Sequence, residues 1–127
     1  TGVQTCALPI YLDYLKSHAA NNPKFVTEML QLILKQTPLI TTQLKKCLAT
    51  SDWDGLQKSA HKIKPTLDLI GLPKEVKILV ENLEEFANEQ IHLDLIPTKL
   101  KTLEKMLKQA YKELAEELAK ELKIIKN

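Results

Sequence analysis

Three residues in one helical stretch have the types and spacing to do chemistry: His61, Lys64 and Asp68, within SAHKIKPTLDLIGL at positions 59–72. Set Trp53 at zero and advance about 100° per residue, and Trp53, Leu56, Ala60, Ile63, Leu67 and Ile70 form an apolar stripe centred near about −40°. His61 then falls near about +80°, with Asp54, Gln57, Lys64 and Asp68 between roughly +20° and +100°. His61, Lys64 and Asp68 thus share the polar face of a helix whose other side is built for burial. A neutral imidazole nitrogen is a nucleophile near neutral pH. A phosphoryl group placed on it would lie beside the Lys64 ammonium, one turn along, which offsets part of its charge. The same spacing also fits a solvated histidine beside a solvated lysine, so the pair alone leaves both readings open.

The elements that position this face are helical throughout. Ser51 and Asp52 are cap residues that open the helix, about 52–70, and Gly71 stands where a left-handed C-terminal cap belongs. Upstream, Asn22 caps a helix with Pro23 at its first position, and FVTEMLQLILKQT follows with Phe25, Met29, Leu32 and Ile33 expected inward. Pro38 interrupts that pattern, which resumes with Leu39, Ile40, Leu44, Cys47 and Leu48, as in a kinked helix rather than a loop. Earlier still, Leu12, Leu15 and Ala19 mark a short helix. Downstream, Pro73 starts a helix with Val76, Leu79 or Val80, Leu83, Phe86 and Ala87 inward; residues 88–96 read as a connection. Pro97 begins a long last helix lined by Leu100, Leu103, Leu107, Tyr111, Leu114, Leu118, Leu122 and Ile125. Nothing alternates with a strand's period of two. The expected fold class is therefore all-α, an antiparallel four-helix bundle with a short N-terminal helix across one end and a long C-terminal helix. Residues 1–10, TGVQTCALPI, carry no charge and fit no helical period, and read as a non-native or disordered leader. Residues 11–127 are expected to form one domain.

Composition removes several classes of function. All 18 basic residues are lysine, the net charge is only +2 and aromatics are 5%. Nucleic-acid readers favour arginine forks and stacking surfaces, so no nucleic-acid partner is expected. Three glycines leave no phosphate-cradling loop. No apolar run reaches membrane-spanning length, and the mixed charges of the last helix argue against a membrane surface. Cys6 and Cys47 form no Cys-x-x-Cys pair, which points to a reducing, cytoplasmic setting rather than a disulfide framework. Cys47, Met29, Met106 and Trp53 read as core residues.

The string around His61 resembles the phosphoacceptor motif of histidine-containing phosphotransfer domains of bacterial two-component phosphorelays. Ala60-His61, Lys64 three residues later and Gly71 ten residues later fit that pattern. So do NNPKFVTEMLQLILKQTP, similar to the family's Asp-Pro-x-Phe helix ending in Thr-Pro, and Ser51-Asp52-Trp53, similar to the start of its phosphoacceptor helix. The resemblance covers residues 11–110. It implies that His61 accepts a phosphoryl group from a receiver-domain aspartate and passes it to another, with Lys64 orienting or neutralising the phosphoryl. It implies no kinase activity of the chain's own and no bound nucleotide or cofactor, magnesium belonging to the receiver. Its implied partners are response-regulator receiver domains and a hybrid histidine kinase, met by a monomer through Gln57, Lys58, Lys62, Pro65 and Asp68, with Gly71 structural.

Two positions depart from the family. Pro65 replaces its usual glycine and leaves the His61 carbonyl without a helical donor. Asp68 stands where the family has a small uncharged residue, and outward placement is expected. These departures keep a non-phosphorylated docking module open, and the long last helix keeps a purely structural bundle open. Lysines 58, 62, 64, 74 and 77 stand against only Asp68 and Glu75 between positions 56 and 80, which suits either a solvated face or steering toward an acidic partner pocket. Glu89-Gln90-Ile91-His92 is half of a di-iron motif without a second half, so no metal site is expected. His18 has no ligand-type neighbour at helical spacing.

Overall fold

The computed structural model describes residues 22–126, and within them every regular element is helical. The leader, the expected short helix with His18, Cys6 and the side chain of Ile125 lie outside the described residues. Helix α1 spans Pro23–Ala49, α2 Trp53–Leu69, α3 Lys74–Glu89 and α4 Ile96–Lys126, with a 3-10 turn at Leu93–Leu95 before α4. α1 packs on α2, α2 on α3, α3 on α4, and α4 closes back on α1. No described helix is long and apolar enough to cross a membrane.

Local chemistry sets the ends of these helices. The Asn22 side chain accepts the Lys24 and Phe25 N–H groups at 3.1 and 3.4 Å, filling two of the donors a helix start leaves open. α1 runs through Pro38 without interruption. Here the Thr37 hydroxyl donates to the Ile33 carbonyl at 2.8 Å and the Thr41 hydroxyl to the Thr37 carbonyl at 3.1 Å. The chain then reverses within three residues. Ser51 takes a left-handed φ of 55°, and Asp52 caps α2 by accepting the Gly55 N–H at 2.9 Å. Gly55 has to be small, because a Cβ there would stand 2.5 Å from Asp52 Oδ2 and 2.8 Å from Cys47 Sγ. Cys47 is itself buried.

Gly71 ends α2 with φ of 61°, its N–H reaching the Asp68 carbonyl at 3.3 Å while Leu72 N–H reaches the Leu67 carbonyl at 3.5 Å. This is a Schellman pair, and an L side chain resists the left-handed backbone it needs. Gly71→Ala is expected to destabilise the protein by about 1–2 kcal/mol. A urea transition read by circular dichroism tests this; an unchanged midpoint would refute it.

The core forms two clusters. The larger draws on all four helices, from Leu44 and Cys47 through Leu56, Ala60, Ile63 and Leu67 to Val76, Val80, Leu83, Leu100, Leu103 and Leu107. The smaller joins Val26, Leu30 and Ile33 of α1 to Ile70 and to Leu114 of α4. The expected stripes of α2, α3 and α4 are largely the buried ones, although Leu122 of α4 is 37% exposed.

α1 differs from expectation. Its buried face is Val26, Leu30 and Ile33, whereas Phe25 is 41%, Leu32 43% and Leu39 65% exposed. The reason is chemical. Thr37 and Thr41 are buried on this face with their hydroxyls bonded to helical carbonyls, so the true stripe continues through two polar residues. A pattern of apolar residues alone misses that phase. The connection expected at 88–96 is also shorter, since α3 continues through Glu89 and stops at Gln90, which has a left-handed φ of 53°.

Candidate functional site

His61 projects from the exposed flank of α2 while its neighbours Ala60 and Ile63 are buried against the other helices. That burial fixes the rotation of α2 about its axis, and so fixes where the imidazole points. The His61 side chain is 69% exposed. Its Nδ1 lies 2.6 Å from Oε2 of Glu84, on α3. The other carboxylate oxygen, Oε1, accepts from Lys64 Nζ at 3.0 Å. One carboxylate therefore holds both residues of the His-x-x-Lys pair, and it comes from a different helix.

Glu84 reaches them because of its place on α3. The buried residues Val76, Val80, Leu83 and Ala87 define that helix's inner face. At about 100° per residue Glu84 sits roughly 70° from the centre of that face, on the flank turned to α2. A sequence reading centred on α2 passes over Glu84. The signal that could have found it is its position one turn from Val80 and beside Leu83, on a shoulder of the core where a carboxylate needs a cation.

The electrostatics decide the form of the ring. Burial pushes the Glu84 carboxyl up, but the bonds from Lys64 and His61 outweigh it and hold the group below its ordinary value of 4.5. The Lys64 ammonium is raised above 10.5, chiefly by its bond to Glu84. At neutral pH Glu84 is thus a carboxylate, which can only accept. The hydrogen between it and His61 therefore belongs to Nδ1. In the neutral ring Nε2 is then bare, with its lone pair in the ring plane and no hydrogen bond among the described residues.

Glu84 is depressed in the folded state, so its contribution to stability is present above its unfolded value and is lost as pH falls through the folded one. Lys64 is raised, so its contribution is present at lower pH and is lost as pH rises through its folded value, above 10.5. At neutral pH both are in place.

The other residues singled out from the sequence are spread around this clamp. Asp68 points outward and lies 3.3 Å from Lys77 of α3, so its carboxylate is engaged away from His61. Lys58 pairs with Asp54 at 2.9 Å, both well exposed, where such a pair adds little stability. Lys62 and Pro65 are exposed on the side of His61 away from α3, and α2 continues past Pro65 to Leu69. Gln57 lines a groove between α2 and α3 together with Lys64, Glu81, Asn82, Glu84, Glu85 and Asn88; its volume is about 510 Å³. Glu89 and His92 do not converge on a ligand set. His92 instead packs its ring against Phe86, with centroids 5.0 Å apart. Among the described residues no three His, Cys, Asp or Glu side chains are grouped to hold a metal ion.

No family model matches the chain, and neither a curated protein nor a solved structure matches it.

Proposed function

We propose that the chain is a histidine-containing phosphotransfer domain, an antiparallel four-helix bundle that carries phosphoryl groups between receiver-domain aspartates on His61 Nε2. The observation that carries the reading is the clamp: an exposed imidazole whose Nδ1–H is held by Glu84, leaving the opposite nitrogen bare toward solvent. A histidine kept for structure alone has no need of an exposed, oriented Nε2.

The chemistry balances without a proton in flight. The Nε2 lone pair attacks the phosphorus of a receiver aspartyl phosphate, an N–P bond forms and the P–O bond to the aspartate breaks. The electron pair of that bond leaves with the aspartate carboxylate. Nδ1 keeps its hydrogen, so the phosphorylated ring is cationic, and the Glu84 carboxylate beside it stabilises that charge. Lys64, held one turn from His61, is placed to swing from Glu84 toward the phosphoryl oxygens. Asp68 is occupied by Lys77, which lowers its repulsion of an incoming dianion. The reverse attack, by an aspartate on phosphohistidine, returns the ring to its starting state. The chain supplies no kinase chemistry and acts as the carrier, without a cofactor of its own, for receivers fed by a hybrid kinase.

The test mixes the protein with receiver domains charged by acetyl phosphate and reads intact mass. The expected result is a gain of one acid-labile phosphoryl group. If neither the receivers nor phosphoramidate phosphorylates the folded protein, the reading falls.

Glu84 is a positioning residue in this scheme. Glu84→Gln keeps an acceptor for Nδ1–H but removes the charge that steadies the cationic ring. Exchanging a charge-assisted bond for a neutral one costs about 1–1.5 kcal/mol, which slows transfer roughly tenfold. Imidazole ¹⁵N shifts give a second readout, because the Nδ1–H tautomer is expected to lose its dominance in the variant. Unchanged rate and unchanged tautomer would remove Glu84 from the mechanism.

A further inference from the structure

We propose that the groove between α2 and α3, beside His61, seats a lysine- or arginine-bearing helix of the receiver, and that this contact selects the partner. The inference rests on the phosphohistidine reading and adds the chemistry of the docking surface to it.

Position comes first. Lys64 and Glu84 belong to the clamp and also form part of the groove wall. A protein that brings a phosphorylated aspartate to Nε2 must cover the surface next to the clamp. The groove is open and wide, about 510 Å³, and fits a row of side chains from a helix rather than an enclosed small molecule.

The lining then fixes the sign of the partner. Gln57, Asn82 and Asn88 offer amides that can donate and accept. Glu84 is committed to His61 and Lys64, but Glu81 and Glu85 form no salt bridge among the described residues. Covering those two carboxylates with an apolar helix would strip them of water without return, a heavy cost for an ion. Covering them with an acidic helix adds repulsion. A helix that presents cations and amides satisfies both carboxylates and the amides together. At about 100° per residue the opposite flank of His61, away from α3, carries Lys58 and Lys62. Lys58 is paired there with Asp54 at 2.9 Å, and Lys62 is exposed with no carboxylate partner among the described residues, so the flank keeps a net positive charge. The surface around the nucleophile is therefore polarised, acidic over the groove and basic across from it. A receiver whose acidic phosphorylation pocket meets the lysines while a basic helix enters the groove fits in one orientation only, and a partner of reversed polarity is repelled on both sides.

The experiment compares two phosphoryl donors on the full chain: phosphoramidate, which needs no docking, and acetyl-phosphate-charged receiver domains. The variants are Glu81→Lys/Glu85→Lys and the milder Glu81→Gln/Glu85→Gln, each checked for helical content and melting. The charge-reversed pair is expected to lower the ratio of receiver-donated to phosphoramidate-donated rates by about tenfold or more at low ionic strength. The neutral pair is expected to fall between it and the wild type, and the gap is expected to narrow as salt screens the contact. Reversing a lysine or arginine on the receiver helix to glutamate should restore part of the ratio. A ratio that does not move in either variant overturns the inference while leaving His61 as the acceptor. Failure of both donors to phosphorylate the wild type overturns the underlying reading, and the inference with it. The two failures are distinguished by the phosphoramidate arm.

Discussion

His61→Gln is expected to accept no phosphoryl group from any donor, while keeping its helical content and its unfolding midpoint within about 0.5 kcal/mol of the parent, as usual for an exposed position. Glutamine has nearly the reach of histidine, and its amide can still bond to Glu84 Oε2 in place of Nδ1. What it lacks is a basic nitrogen lone pair on the solvent side. The amide nitrogen is conjugated and does not attack phosphorus at useful rates. The effect is therefore loss of the reaction rather than a graded change, and it is the largest functional effect a single substitution should have here. Intact mass after exposure to charged receivers and to phosphoramidate reads it directly. An acid-labile phosphoryl group still present in His61→Gln would mean another residue is the acceptor. The same gain on His18 or His92 in the parent would show up as retained label in this variant.

The contrast between histidines explains why His61 is singled out. His92 is the last residue before the 3-10 turn, with its ring against Phe86 and a left-handed backbone φ of 49°. It has packing but no orienting carboxylate among the described residues. His61 has both a carboxylate on one nitrogen and open solvent on the side chain. Orientation without enclosure is the requirement for a carrier, which must meet different partners on the same atom.

Much of this arrangement was legible in the sequence, and the parts that were not share a cause. The α2 stripe could be read because its steps of three and four are occupied by apolar residues without a gap, so periodicity alone gave its rotation and the place of His61. Gly71 was legible because few residues tolerate a left-handed cap. The face of α1 was not, because Thr37 and Thr41 occupy buried positions and apolar residues fill exposed ones. Glu84 was not legible either. Its role depends on the register between α2 and α3, where moving from Lys64 to Asp68 on one helix moves the partner from Glu84 back to Lys77 on the other. Register is a property of two packed helices, and a pattern read along one of them does not contain it. Periodicity thus placed His61 on the exposed flank of α2, and tertiary packing supplied the Glu84 carboxylate that its Nδ1 meets.

That dependence on packing has a measurable consequence in two adjacent residues. Ile63 is fully buried in the larger core cluster, between His61 and Lys64 in sequence and on the opposite side of α2. Ile63→Ala removes three carbons from a close-packed site, and the cost is the lost transfer energy plus that of the cavity, about 2–5 kcal/mol. A domain of this kind has only about 5–15 kcal/mol in total, so the midpoint of urea unfolding should fall sharply with little change in slope. Lys62→Ala, one position earlier on the exposed side, should shift stability by no more than about 0.5 kcal/mol. The substitution at 63 should also slow phosphotransfer before the protein unfolds. The clamp requires α2 and α3 to hold His61 Nδ1 and Glu84 Oε2 at 2.6 Å, and a cavity beneath α2 loosens that register. Equal unfolding midpoints for the two variants would contradict the burial on which the rotation of α2, and with it the exposure of His61, depends.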